Sequence, residues 1–159
     1  MSRSVREAES MKLSKNEQKI LEVIAKDASL SYRQIAKRCK VSPSTVLKNV
    51  ERLKEMGIIK RQISIVDFEK LGYDVYVIIQ LRVAKGKLFE VEEKIASDSR
   101  VFGVYDQTGQ FDATVLARFK NRKELDEFLK KIQTYPFIED TETSLILNVV
   151  KENPISIFD

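Results

Sequence analysis

Thr45, Lys48, Asn49 and Arg52 are spaced i, i+3, i+4 and i+7, so a helix through them carries all four on one face. That face offers a hydroxyl, an amide and two cations, and no acid. This is the chemistry of a helix lying in a DNA major groove, where such groups meet base edges and flanking phosphates. Ser42 and Ser44 open the same helix, where unpaired N–H groups and the positive end of the helix dipole favour phosphate. Arg33 and Lys37 on the preceding segment, and Lys60 and Arg61 just after the helix, add cations for a phosphate backbone.

Other chemistries are excluded by residue type. The chain has no histidine, so neither a Ser-His-Asp nor a Cys-His nucleophile system can be built. Cys39 is the only cysteine, which rules out a Cys/His metal cluster and an intrachain disulfide. No glycine-rich phosphate loop is present. We therefore expect no enzymatic activity, no metal and no cofactor. The first twelve residues lack the apolar core of a secretory signal, and no apolar run reaches the ~20 residues of a membrane span. These features predict a cytoplasmic protein with no membrane partner. The charge is uneven: residues 1–61 hold 15 Lys/Arg against 7 Asp/Glu, and residues 62–159 hold 13 against 17. Only the first segment is suited to a polyanion such as double-stranded DNA.

The elements that must position the stripe are legible. Ser14 and Glu17 form a capping-box pair ahead of Ile20, Leu21, Ile24 and Ala25, predicting a helix over 15–26. Ser31 and Gln34 repeat the pattern ahead of Ile35 and Ala36. Lys40 to Pro43 is a tight connection, with Ser42 as N-cap and Pro43 in the first helical position. Lys40 stands where such turns often carry glycine. The third helix spans 43–56, with Val46, Leu47, Val50 and Leu53 as its apolar stripe and Gly57 as its stop. Two helices joined by a short turn predict a helix-turn-helix.

The remainder changes period. Residues 62–66 alternate as a short strand, and 67–72 read as a hinge or turn. Val75, Val77, Ile79, Leu81 and Val83 then line one face of a strand. A helix follows over 87–97, then strands over 101–107 and 111–119. A second helix holds Leu125, Phe128, Leu129 and Ile132. A last strand is expected through Thr141, Thr143, Leu145, Leu147 and Val149. The order β-α-β-β-α-β predicts a ferredoxin-like four-stranded sheet with helices on one face. Ile78, Leu116, Ile146 and Val150 are assigned to the other face, which is then apolar enough to pair with a second copy of the chain.

The order and spacing of these pieces resemble the Lrp/AsnC (leucine-responsive, feast/famine) family of transcription regulators. The resemblance runs from residue 13 to about 152. It is carried by Ser31-Tyr32-Arg33-Gln34-Ile35-Ala36, Val41-Ser42-Pro43-Ser44-Thr45-Val46, Arg52 to Ile59, Thr108-Gly109-Gln110-Phe111-Asp112 and Glu139-Asp140-Thr141-Glu142-Thr143. It implies an α+β chain with a winged or hinged helix-turn-helix domain (13–61), a hinge strand (62–72) and a βαββαβ effector and oligomerisation domain (73–152); outside the match, 1–12 read as a flexible extension and 153–159 as a tail. It also implies homodimers that assemble to tetramers or octamers, and an amino-acid effector bound between dimers. With local chemistry added, the expected effector residues are Tyr105, Asp106, Gln107, Gly109, Gln110, Asp112, Thr141 and Thr143. An aspartate there accepts from an α-ammonium, and main-chain N–H groups hold a carboxylate. A plain hairpin with ordinary β-forming threonines satisfies the same residues. An effector-independent architectural DNA-binding protein of the same fold also stays open.

Overall fold

The computed structural model of the chain describes residues 13–152, which divide into two compact units, 13–65 and 66–152. The division falls inside the stretch expected to link them. The expected extension (1–12) and tail (153–159) lie outside the described residues.

The first unit is three helices: α1 (Lys15–Lys26), α2 (Tyr32–Cys39) and α3 (Pro43–Glu55). Both expected capping boxes are formed. The Ser14 hydroxyl accepts from Glu17 N at 3.3 Å, and the Ser14 N–H donates to Glu17 Oε2 at 2.7 Å. Ser31 and Gln34 exchange the same two bonds at 3.3 and 2.8 Å. Ile20, Ile24, Ile35, Ala36, Cys39, Val46 and Val50 bury one another at the centre. Between α2 and α3 the chain turns at Lys40, whose φ of 57° is left-handed, and the Val41 N–H closes the turn on Ala36 O at 3.0 Å. A lysine adopts this conformation at a cost of roughly 1 kcal/mol relative to glycine.

Two expectations fail in this unit and beside it. Leu47 is 42% exposed, not core. Val46, Val50 and Leu53 form the i, i+4, i+7 row, and Leu47 lies one residue round the helix from it, on the flank. Residues 62–66 form no strand, and all five are exposed. Alternation alone does not make a strand without a neighbouring strand to take its hydrogen bonds.

The second unit contains β1 (Val75–Val83), α4 (Leu88–Ala96), β2 (Val101–Asp106), β3 (Ala113–Phe119), α5 (Arg122–Gln133) and β4 (Ile138–Leu145). The strands form one antiparallel sheet in the order β2-β3-β1-β4. Val77, Ile79 and Leu81 of β1 and Ala113, Val115, Ala117 and Phe119 of β3 are buried beneath Val91 and Ile95 of α4 and Phe128 and Ile132 of α5. Their strand neighbours Ile78, Leu116, Gln80 and Thr114 point to the open face. The expected alternation of the last strand stops at Leu145. The Ile146 N–H still donates to Tyr76 O at 2.8 Å, but β1 begins at Val75, so 147–152 has no partner strand. Leu147 and Val149 therefore leave the sheet, and Val150, expected on its open face, is 91% exposed.

The Lys40 turn gives a direct test. Lys40→Gly should raise the stability of the helical unit by up to about 1 kcal/mol, and Lys40→Val should lower it by about 1–2 kcal/mol, in urea unfolding followed by circular dichroism.

Candidate nucleic-acid interface

The outer face of α3 is built from its first turn. Ser42 accepts from Thr45 N at 3.1 Å, and its hydroxyl lies 2.8 Å from both the Ser44 and Thr45 hydroxyls. Three hydroxyls thus cluster where the helix leaves its first N–H groups unpaired. Ser42, Ser44, Lys48 and Arg52 are exposed, and Thr45 and Asn49 are half-buried on the same stripe. Arg33 and Lys37 on α2 are exposed, as are Lys60 and Arg61. Lys40, singled out from the sequence for its turn position and not as a DNA contact, puts a further exposed cation at the turn before α3. Its left-handed turn position was the only available clue.

Two members of the stripe have internal duties. The Asn49 Nδ2 donates to Thr45 O at 2.7 Å, which sets the orientation of the amide and leaves its oxygen without a hydrogen-bond partner among the described residues. Arg52 Nη1 stands 3.1 Å from Glu17 Oε1, although the arginine side chain is still 59% exposed. Glu17 is 1% exposed. Its carboxyl is held below the ordinary glutamate range, first by the Ser14 N–H, then by the Ser14 hydroxyl; burial opposes these and the Arg52 charge adds to them. A buried carboxylate on α1 therefore faces Arg52 in the last turn of α3. The capping-box pattern in the sequence identified Glu17 but not its burial.

The residues expected to bind an effector do not form one cluster within the chain. In β2, Tyr105 pairs with Thr114 and points to the open face, whereas Asp106 pairs with Ala113 and points to the helix face. The Gln107 N–H donates to Asp112 O at 3.0 Å, and the Gln107 side chain accepts from the Thr114 hydroxyl. Asp112 Oδ2 accepts from Val83 N at 2.8 Å, so this carboxylate ties the loop to the end of β1. Gly109 has φ 126° with open space around it, and Gln110 is exposed. Thr141 and Thr143 face the same side of β4, opposite Leu81 and Ile79. Thr141 and Asp106 lie on one row of the sheet but three strand spacings apart, about 14 Å. Glu92 of α4 was not anticipated. Its Oε1 is buried without a hydrogen-bond partner among the described residues. Burial, and then the charge of Asp106, raise its carboxyl above the usual range.

Comparison with known proteins agrees with this division. The sequence model of the winged helix-turn-helix DNA-binding family matches residues 13–60, and that of the Lrp/AsnC ligand binding domain matches 76–155. An uncharacterized HTH-type transcriptional regulator of Pyrococcus horikoshii is 37% identical over 143 residues, covering 90% of this chain and 97% of that one. The structure of AsnC from E. coli superposes with a TM-score of 0.83 at 28% identity, covering 91% and 98%. A transcriptional regulator from Neisseria meningitidis, solved as an L-Met complex, shares the fold with a TM-score of 0.83 at 20% identity, covering 90% and 95%.

The Glu17–Arg52 contact predicts a split between stability and binding. Arg52→Ala should cost up to about 1 kcal/mol in urea unfolding, because it takes a largely solvent-screened charge away from the buried Glu17 carboxylate; Lys48→Ala should leave the midpoint unchanged. Because the native Glu17 pKa is lowered, its stabilisation is present above the ordinary glutamate range and is lost as pH falls through the native value. Glu17→Gln should remove that acid-side dependence from a pH series of unfolding midpoints.

Proposed function

Since this chain belongs to the Lrp/AsnC family of DNA-binding transcription regulators, we propose that it reads a two-fold operator as a homodimer in the cytoplasm, under control of an amino acid. The observation that carries the DNA part is the acid-free outer stripe of α3, held outward by a fully apolar inner row. In this reading Thr45, Lys48, Asn49 and Arg52 meet bases or the phosphates beside them. Arg33, Lys37, Ser42, Ser44, Lys60 and Arg61 grip the backbone. Asn49 takes part through its free amide oxygen, or by giving up its bond to Thr45 O. Two recognition helices from a dimer enter successive major-groove faces about 34 Å apart.

Dimerisation is supported by the open sheet face. Ile78 and Leu116 are adjacent there, with the half-exposed rings of Phe102 and Tyr105 nearby. A mixed apolar and polar patch of this kind suits a self-complementary two-fold contact. Further assembly to tetramers or octamers is part of the same proposal. Effector control is supported by the ligand-binding character of the matched C-terminal family and by the L-Met bound to the Neisseria relative. Tyr105, Asp106, Gln107, Gly109, Gln110 and Asp112 are the proposed contacts. Because Thr141 and Thr143 sit about 14 Å across the sheet, they join a single ligand only if another copy of the chain supplies one of the two sets.

Lys60→Ala should weaken binding to all DNA sequences and reduce the slope of log K against log salt by about one, read by fluorescence anisotropy at several salt concentrations. Asn49→Ala should instead narrow the gap between operator and random DNA. An unchanged gap removes Asn49 from readout, and a uniform footprint on random DNA overturns operator recognition. At least one of the twenty amino acids should raise the melting temperature of the protein. No shift with any of them removes the effector and leaves the DNA reading intact.

A further inference from the structure

The two capping boxes of the helical unit close with different residues. α2 uses Gln34, which is neutral and exposed, whereas α1 uses Glu17, which is charged and buried. Each gives one side-chain oxygen to the N–H of its N-cap serine, at 2.8 and 2.7 Å. Capping therefore needs an oxygen and not a charge. Burying a carboxylate is costly, and a glutamine at position 17 would close the same cap without that cost. The Glu17 carboxyl is nevertheless ionised at neutral pH, since the Ser14 N–H and hydroxyl hold it below the ordinary glutamate range. Its charge serves something other than the cap.

The charge acts at the second oxygen, Oε1. It is buried, makes no hydrogen bond among the described residues, and lies 3.1 Å from Arg52 Nη1. The contact is one of charge, so it holds the guanidinium without occupying its N–H donors. Glu55 lies three residues further along α3, within helical reach of Arg52, yet it is exposed and Arg52 pairs with the neighbouring helix instead. Among the described residues the Arg52 side chain has no other ion pair, and more than half of it faces water. It ends the stripe that begins with Thr45, Lys48 and Asn49. An unrestrained arginine loses rotamer freedom when it docks on a partner, and a fixed charge behind the guanidinium removes much of that freedom beforehand. Moving Arg52 away would leave a buried carboxylate uncompensated, which favours the held position.

We propose that Glu17, itself out of reach of DNA, is a positioning residue for sequence readout: it holds Arg52 with the open N–H edge of the guanidinium toward the groove. This rests on the reading that the outer face of α3 meets DNA. Arg52 then meets one base edge or phosphate in one register, where a free arginine would sample several. α1 thereby takes part in specificity through a charge on its buried side.

The test offers the full chain a pool of random duplexes of about 30 base pairs, room for two half-sites one turn apart, and selects the best-bound sequence. Fluorescence anisotropy then compares the selected duplex with the random pool, and urea midpoints report folding. Arg52→Gln should narrow the gap between the two about tenfold. Glu17→Gln keeps the cap and should narrow the gap about threefold to fivefold without weakening the random duplex. In the Arg52→Gln background, Glu17→Gln should add nothing. The inference is overturned if Glu17→Gln leaves the gap intact while Arg52→Gln narrows it. It is also overturned if Glu17→Gln narrows the gap equally with and without Arg52, because it then acts through the fold. A gap untouched by Arg52→Gln removes Arg52 from readout and this inference with it. A wild-type protein with no gap overturns operator recognition as well. If the Glu17→Gln protein does not fold, Arg52→Lys decides. It keeps the charge but loses the planar fork, so it should narrow the gap as Arg52→Gln does; a full gap with lysine overturns the inference.

Discussion

Glu17 is the charged side chain that the described core contains, and its placement organises the helical unit. A carboxylate with 1% exposure needs compensation, and Glu17 has one hydrogen-bonded oxygen and one, Oε1, with only a nearby charge. One oxygen takes the N–H of Ser14 and so starts α1, while the other faces Arg52 and so anchors α3. The Arg52 end remains largely in water, which softens the desolvation cost of the pair. α3 then has one apolar row facing Ile20 and Ile24 and one polar row facing out. The outward row is the surface proposed to meet DNA.

The sheet unit obeys a different constraint. Its two helices cover one face, so every second residue of β1 and β3 is apolar and buried, while the neighbours between them stay open. This leaves Ile78 and Leu116 beside Gln80, Thr114 and Arg118 on one surface. Phe102, at the irregular step between Val101 and Gly103, places a ring beside Tyr76 at 5.3 Å. The same irregularity gives Arg118 its second aromatic wall. A local break in the ladder thus furnishes an arginine with a fixed orientation.

Most of the fold was readable because the signals are local. Ser14, Ser31 and Ser42 begin helices through bonds made within three residues, and the buried rows of β1 and β3 follow from period two. The failures share a cause. Leu47 is apolar but one residue off the buried row, residues 62–66 alternate without a partner strand, and the fourth strand ends where β1 begins. Each depends on a neighbour supplied by another part of the chain. The expected effector residues show the same limit. Family resemblance and local chemistry grouped Tyr105, Asp106, Thr141 and Thr143, but the strand order β2-β3-β1-β4 puts the two pairs on opposite edges.

The amino-acid sequence by itself determined which helices exist, where they start, and which face of α3 is polar, since residue type and spacing set these through contacts within one or two turns. It also excluded histidine-based catalysis outright. The tertiary structure alone decided what the polar residues do. Arg52 was legible as a cation on the outer stripe, but its tie to Glu17 requires α1 packed against α3. Arg118 was one more charge in a strand until the sheet brought Tyr76, Phe102 and Glu152 around it. Charge and hydrogen-bonding capacity belong to a residue, but burial and partners belong to the fold.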